Sequence, residues 1–137
     1  NSLGNLFLNV NRPKEALDEL EIAAKLEPKS SVIHNNLGTA FLMLQKLDAA
    51  IANYQLAVQF DEKNSQAYSN LGVAYYRQGK LDDSINAFKR SVALEPNNAQ
   101  FKVALADVLK KAGRSKEAKE INSEAEASEK GKKKKKG

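Results

Sequence analysis

The chain contains no cysteine and no tryptophan, a single histidine, a single methionine and three prolines. Without cysteine it can form neither a disulfide nor a thiolate metal site, and its redox compartment stays open. One histidine, His34, leaves no cluster of His, Cys and carboxylate with ligand spacing, so no metal and no other cofactor is expected. No stretch approaches the roughly 18 apolar residues that a membrane-spanning helix requires. Asparagine is plentiful, yet no Asn-x-Ser/Thr glycosylation acceptor occurs. Glycine-rich phosphate loops and nucleophile elbows are also missing, so the expectation is a protein that is not an enzyme.

What the chain does have is a period. Leu-Gly recurs at Leu3-Gly4, Leu37-Gly38 and Leu71-Gly72, in steps of 34 residues. With each unit numbered from 1 to 34 and Leu-Gly at positions 7 and 8, an aromatic falls at position 11 (Phe7, Phe41, Tyr75) and a small residue at position 20 (Ala16, Ala50, Ser84). A large apolar residue follows at position 24 (Leu20, Tyr54, Phe88) and a second small one at position 27 (Ala23, Ala57, Ser91). Position 32 is Pro28 or Pro96, with Glu62 departing in the second unit. A fourth unit from Ala99 keeps Leu105, Leu109, Ala118 and Ala125 but has Ala106 in place of the glycine and Asn122 in place of the large apolar residue.

Apolar residues at Ile33, Leu37, Ala40, Phe41 and Leu44, and again at Leu47, Ile51, Tyr54, Val58 and Phe60, follow the three-and-four spacing of one helical stripe. Two amphipathic helices joined by a turn cannot bury both stripes alone, so the units must stack. The glycines at position 8 let the helices of a hairpin approach, and the large residues around them fill the space. Ser30, Asn64 and Asn98 stand one residue ahead of the next unit and are good N-caps. The pattern predicts helices at 1–9, 14–27, 31–44, 47–60, 65–78, 81–94, 99–112 and 115–129.

This set of residues and spacings resembles the tetratricopeptide repeat family. The expectation is an all-α fold, an α-solenoid of stacked antiparallel helix hairpins with about eight helices, spanning residues 1–129 in units 1–30, 31–64, 65–98 and 99–129. Asn1 falls at position 5 of its unit, so the first helix is expected to be short by a turn, the chain to be processed or a fragment, and further repeats to lie upstream. At the other end Lys119, Asn122, Glu126 and Ser128 replace the apolar Ile85, Phe88, Val92 and Leu94 of the preceding unit, as a capping helix requires. His34 is equivalent to Tyr68 and is expected to be a half-buried packing residue.

Residues 130–137 carry six lysines and no acidic residue, which accounts for the whole positive excess of the net charge of +5. Like charges repel, so this Lys-rich tail is expected to be disordered. A nuclear import signal, contact with nucleic acid or an anionic membrane, and docking to an acidic partner all stay open for it, beside a solvated end without a role. No aromatic residue is interleaved, so specific nucleic-acid binding is not supported.

The resemblance implies a site. In the family the first helix of each hairpin lines the concave side, with positions 2, 5, 6, 9, 12 and 13 facing the groove. Here those positions give Asn1, Ser2, Asn5, Leu8 and Asn9 from the first unit, and Val32, Asn35, Asn36, Thr39, Leu42 and Met43 from the second. The third unit gives Gln66, Ser69, Asn70, Val73, Tyr76 and Arg77, and the fourth Gln100, Val103, Ala104, Asp107, Lys110 and Lys111. An amide both donates and accepts, so Asn36 and Asn70 can hold the backbone of an extended peptide; hydrogen bonding between adjacent helices is the alternative use. Chaperone-binding members clamp a C-terminal carboxylate with paired cations. Asn1, Gln66 and Asn70 occupy the places of those cations, so a chaperone clamp is not expected.

The implied function is a protein–protein interaction scaffold. It would hold a peptide or partner segment whose acidic residues lie toward the basic late end of the groove. A linker subunit of a larger complex, assembling through its end and convex faces, and a regulatory repeat domain cut from an enzyme are the alternatives.

Overall fold

The structure, a computed structural model, describes the backbone of residues 2–136 and the side chains of residues 3–131. Eight helices follow one another: α1 (Ser2–Asn9), α2 (Pro13–Leu26), α3 (Ser31–Met43), α4 (Leu47–Phe60), α5 (Ser65–Arg77), α6 (Leu81–Leu94), α7 (Ala99–Lys111) and α8 (Ser115–Lys136). Each of the first seven ends within a residue of its expected boundary. Consecutive helices pair as the hairpins α1/α2, α3/α4, α5/α6 and α7/α8, and the second helix of each hairpin packs on the first helix of the next.

The ends of these helices repeat as faithfully as their faces. The side chains of Ser30, Asn64 and Asn98 accept from the backbone N–H of Ile33, Ala67 and Phe101 at 3.3, 3.0 and 3.2 Å. Each cap satisfies one of the orphan donors at the start of an odd-numbered helix. Position 15 of every unit turns the hairpin with a positive φ: Asn11 at 59°, Gln45 at 60°, Gly79 and Gly113 at 79°. The next backbone N–H then reaches back to position 11, as in Lys46 to Phe41 at 2.9 Å and Lys80 to Tyr75 at 3.0 Å. That bond closes the C-terminal turn.

The core is serial. One cluster joins Ala16 and Leu20 of α2 to Ile33, Leu37 and Ala40 of α3; a second joins Ala50, Ile51 and Tyr54 to Leu71 and Ala74; a third joins Ile85 and Phe88 to Leu105, Val108 and Leu109. Within a hairpin the glycine of position 8 lies against the large residue of position 24. An ideal Cβ on Gly38 would sit 2.5 Å from the Tyr54 ring, and on Gly72 2.8 Å from Phe88. The small residues at position 20 are fully buried, and where one is Ser84 its hydroxyl donates to the Gly72 carbonyl at 2.7 Å. His34 is a buried packing residue, its Nε2 donating to the Pro28 carbonyl at 2.8 Å and its ring tilted on Phe60.

The odd-numbered helices of successive units approach one another, α1 to α3 and α3 to α5, more closely than the even-numbered ones do. The stack therefore curves with the odd-numbered helices on its inner side. The gap between α5 and α7 is wider than the two before it.

One boundary differs from expectation. The last helix continues through Lys136 instead of ending at 129, into the segment expected to be disordered. Lysine is a good helix former, Lys130 follows Glu126 by four residues, and cations in a last turn meet the negative end of the helix dipole. Asn1 and Gly137 lie outside the described residues. On α8, Lys119, Asn122 and Glu126 are exposed while Ala118 and Ala125 are buried.

Candidate peptide groove

Position 2, 5, 6, 9, 12 and 13 side chains of the odd-numbered helices share the inner face because these spacings return to one side of a helix every third or fourth residue. Asn5 and Asn9 of α1, Asn35, Asn36, Thr39 and Met43 of α3, and Gln66 and Asn70 of α5 line one cavity of about 440 Å³, together with Leu8. Nine residues expected in the groove are thus brought together across three units. Asn1, expected at its first edge, is outside the described residues.

The amides in this cavity form a relay between helices. Asn36 Nδ2 donates to Asn5 Oδ1, Asn70 Nδ2 donates to Asn35 Oδ1 at 2.9 Å, and Gln66 Nε2 donates to Asn70 Oδ1 at 3.3 Å. Thr39 donates its single proton to the Asn35 carbonyl at 3.1 Å, so the Tyr54 hydroxyl, 3.1 Å from Thr39 Oγ1, is the donor to it. Burial pushes the Tyr54 phenol up to about 12, against the opposing pull of the Thr39 bond and the Arg77 charge. The asparagines therefore do bond between adjacent helices. An amide offers two donors and two acceptor sites, and the relay uses one or two of the four in each of Asn5, Asn35 and Asn70. Structural bonding and peptide holding are compatible uses of the same side chains.

Beyond Asn70 the floor changes character. Val73 and Tyr76 of α5 face Ala104, Asp107 and Val108 of α7 across a cavity of about 230 Å³ whose base is the Phe88 ring. Next to it Tyr76, Asp107, Lys110 and Lys111 line a wider opening of about 610 Å³. Arg77 is exposed at the end of α5 and lines none of these three cavities, although its charge reaches Tyr54. Phe88 as a floor residue was not foreseen, because position 24 reads as core. The signal for it was Ala104, which stands at position 6 where Asn36 and Asn70 stand in the units before. Among the described residues no group of three or more His, Cys, Asp or Glu could hold a metal ion, and no helix is long and apolar enough to cross a membrane.

Comparison with known proteins agrees with the fold. A family model described as TPR repeat matches residues 40–79, and one described as tetratricopeptide repeat matches residues 65–98. No curated protein matches the chain. Among solved structures it is similar to a crystal structure of MamA, with a TM-score of 0.91 and 25% identity over 97% of this chain and 78% of that one. It also resembles MamA from Desulfovibrio magneticus, with a TM-score of 0.86 and 21% identity over 95% of this chain and 73% of that one, a likeness of fold alone.

Proposed function

Since the chain belongs to the tetratricopeptide repeat family, a family of protein-interaction scaffolds, we propose that it binds an extended partner segment along the inner face of α1, α3, α5 and α7. The observation that supports this most is the row of three cavities lined by residues from Asn5 to Lys111, amide-lined at its start and basic at its end. Helices in contact lie roughly 10 Å apart. Three such steps span about 30 Å, or about nine residues of extended peptide at about 3.3 Å each. Amides of the first three units hold peptide N–H and C=O groups, which gives affinity with little dependence on side chains. Arg77, Lys110 and Lys111 then favour acidic residues at the late end.

Affinity capture of partners from the native source tests this reading. Asn36→Ala with Asn70→Ala, and separately Arg77→Glu with Lys110→Glu, should each lose the captured partner, whereas removal of residues 130–137 should not. Retention of the partner by both groove variants, with folded protein shown by circular dichroism, would contradict it.

One observation favours a second reading, assembly through the outer face of α1. Leu3, Leu6 and Val10 are about half exposed, at 46, 54 and 53%, at positions that are covered in the inner units by a preceding helix. Light scattering at high concentration decides it: a strict monomer disfavours assembly through this face. Head-to-tail stacking of copies is disfavoured already, because α8 offers Lys119, Asn122 and Glu126 to such a neighbour.

A further inference from the structure

The cavity between α5 and α7 lies where position 6 departs from the earlier units. Position 6 carries an amide in the second and third units, and there the amide spans to the preceding helix, as Asn70 does to Asn35. At Ala104 the spanning side chain is missing, α5 and α7 approach each other less closely than the pairs before them, and the buried Phe88 ring lines the cavity with Val73. Gly72 is what admits that ring so close to α5, since any Cβ there would meet it at 2.8 Å. The result is an apolar recess of about 230 Å³ set in an otherwise polar groove. A cavity of about 150 Å³ lined by Leu, Ile and Phe already accepts benzene, so this one takes a leucine, methionine or phenylalanine side chain.

The rim determines what accompanies that side chain. Tyr76 and Asp107 border both the recess and the opening that holds Lys110 and Lys111. Two cations line that opening with one carboxylate, and Arg77 adds a third positive charge at the end of α5. These cations outweigh the partial negative charge at the C-terminal ends of α5 and α7.

Resting on the groove reading above, we propose that the bound segment places one large aliphatic or aromatic side chain into the recess over Phe88. An aspartate or glutamate within two residues of it then meets Lys110 and Lys111. The recess supplies selectivity that the amide row cannot, because amides read backbone whereas the recess reads a side chain. Ala104 is a specificity-determining residue through its smallness.

Selection from a randomised octapeptide library by the purified full chain tests the proposal. The wild type should enrich peptides with Leu, Ile, Met or Phe within two residues of Asp or Glu. Ala104→Leu, which fills the recess, and Ala104→Asn, which restores the amide of the earlier units, should both lose the apolar preference and keep the acidic one. Each should bind an enriched peptide at least about tenfold more weakly, the effect of losing one buried aliphatic side chain. Enriched peptides without an apolar residue, or equal binding by both Ala104 variants, would overturn the recess as an anchor while leaving the groove in place. Absence of any enrichment, or enrichment unchanged by Asn70→Ala with Arg77→Glu, would overturn the groove reading and this inference together.

Discussion

Tyr54 joins packing and site in one residue. Its ring fills the space that Gly38 leaves, it is fully buried, and its hydroxyl reaches Thr39 at the groove floor. Replacing Gly38 by alanine would gain about 1 kcal/mol of helix propensity. It would also force a Cβ to 2.5 Å from a ring that cannot move, and overpacking of this kind costs about 1–3 kcal/mol. We expect Gly38→Ala to lower the urea midpoint by an amount equivalent to up to about 2 kcal/mol, the overpacking cost less the propensity gain. The same pairing explains the two departures of the fourth unit: Asn122, at position 24, is exposed on α8, so Ala106 needs no glycine opposite a large residue. Tyr54 also gives a pH signature. Its folded pKa of about 12 lies above the ordinary value of 10.0, so its contribution is complete below pH 10 and is lost as pH rises from 10 toward 12. The urea midpoint of the wild type should fall over that window more steeply than that of Tyr54→Phe. Equal slopes would show that the phenol is not held protonated by the fold. The identities of Gly38, Tyr54 and Ala106 as packing positions were legible in the sequence because the repeat aligns them. The Tyr54 hydroxyl bond was not, since it depends on where a ring tip arrives after two helices pack.

At the level of helices, the caps and the turns account for nearly all the boundaries. Ser30, Asn64 and Asn98 were readable as caps because a side-chain acceptor one residue before an apolar stripe has one main use. The turn at Gln45 was not marked by any glycine or proline, yet it adopts the same positive φ as Gly79 and Gly113. A non-glycine residue there costs about 1 kcal/mol. Gln45→Gly should therefore raise the urea midpoint, by the equivalent of about 0.5–1 kcal/mol, whereas Gly79→Ala should lower it by a similar amount. A Gln45→Gly protein less stable than the wild type would mean that the glutamine side chain contributes more than its backbone strain removes. The extension of α8 to Lys136 is not legible in the sequence, because like-charge repulsion in the lysine run opposes the helix that lysine's own propensity favours.

For the molecule as a whole, repetition places a row of amides on one side and leaves the differences between units to define the site. The groove side follows from the family resemblance, and the basic late end from the residues that the register puts at the family's groove positions. The recess over Phe88 does not, because it needs α5, α6 and α7 in place at once, and only the smallness of Ala104 hints at it. Partner affinity should fall with added salt if Arg77, Lys110 and Lys111 act as described, since exposed ion pairs are screened; Arg77→Glu with Lys110→Glu should remove most of that salt dependence along with the affinity. The most direct measurement is a nitrogen-15 NMR titration of the full chain with an enriched octapeptide. Binding along the inner face predicts shift changes at Asn36, Asn70, Val73, Ala104 and Lys110. Changes confined to α2, α4 and α6, to the outer face of α1, or to residues 130–137 would contradict it.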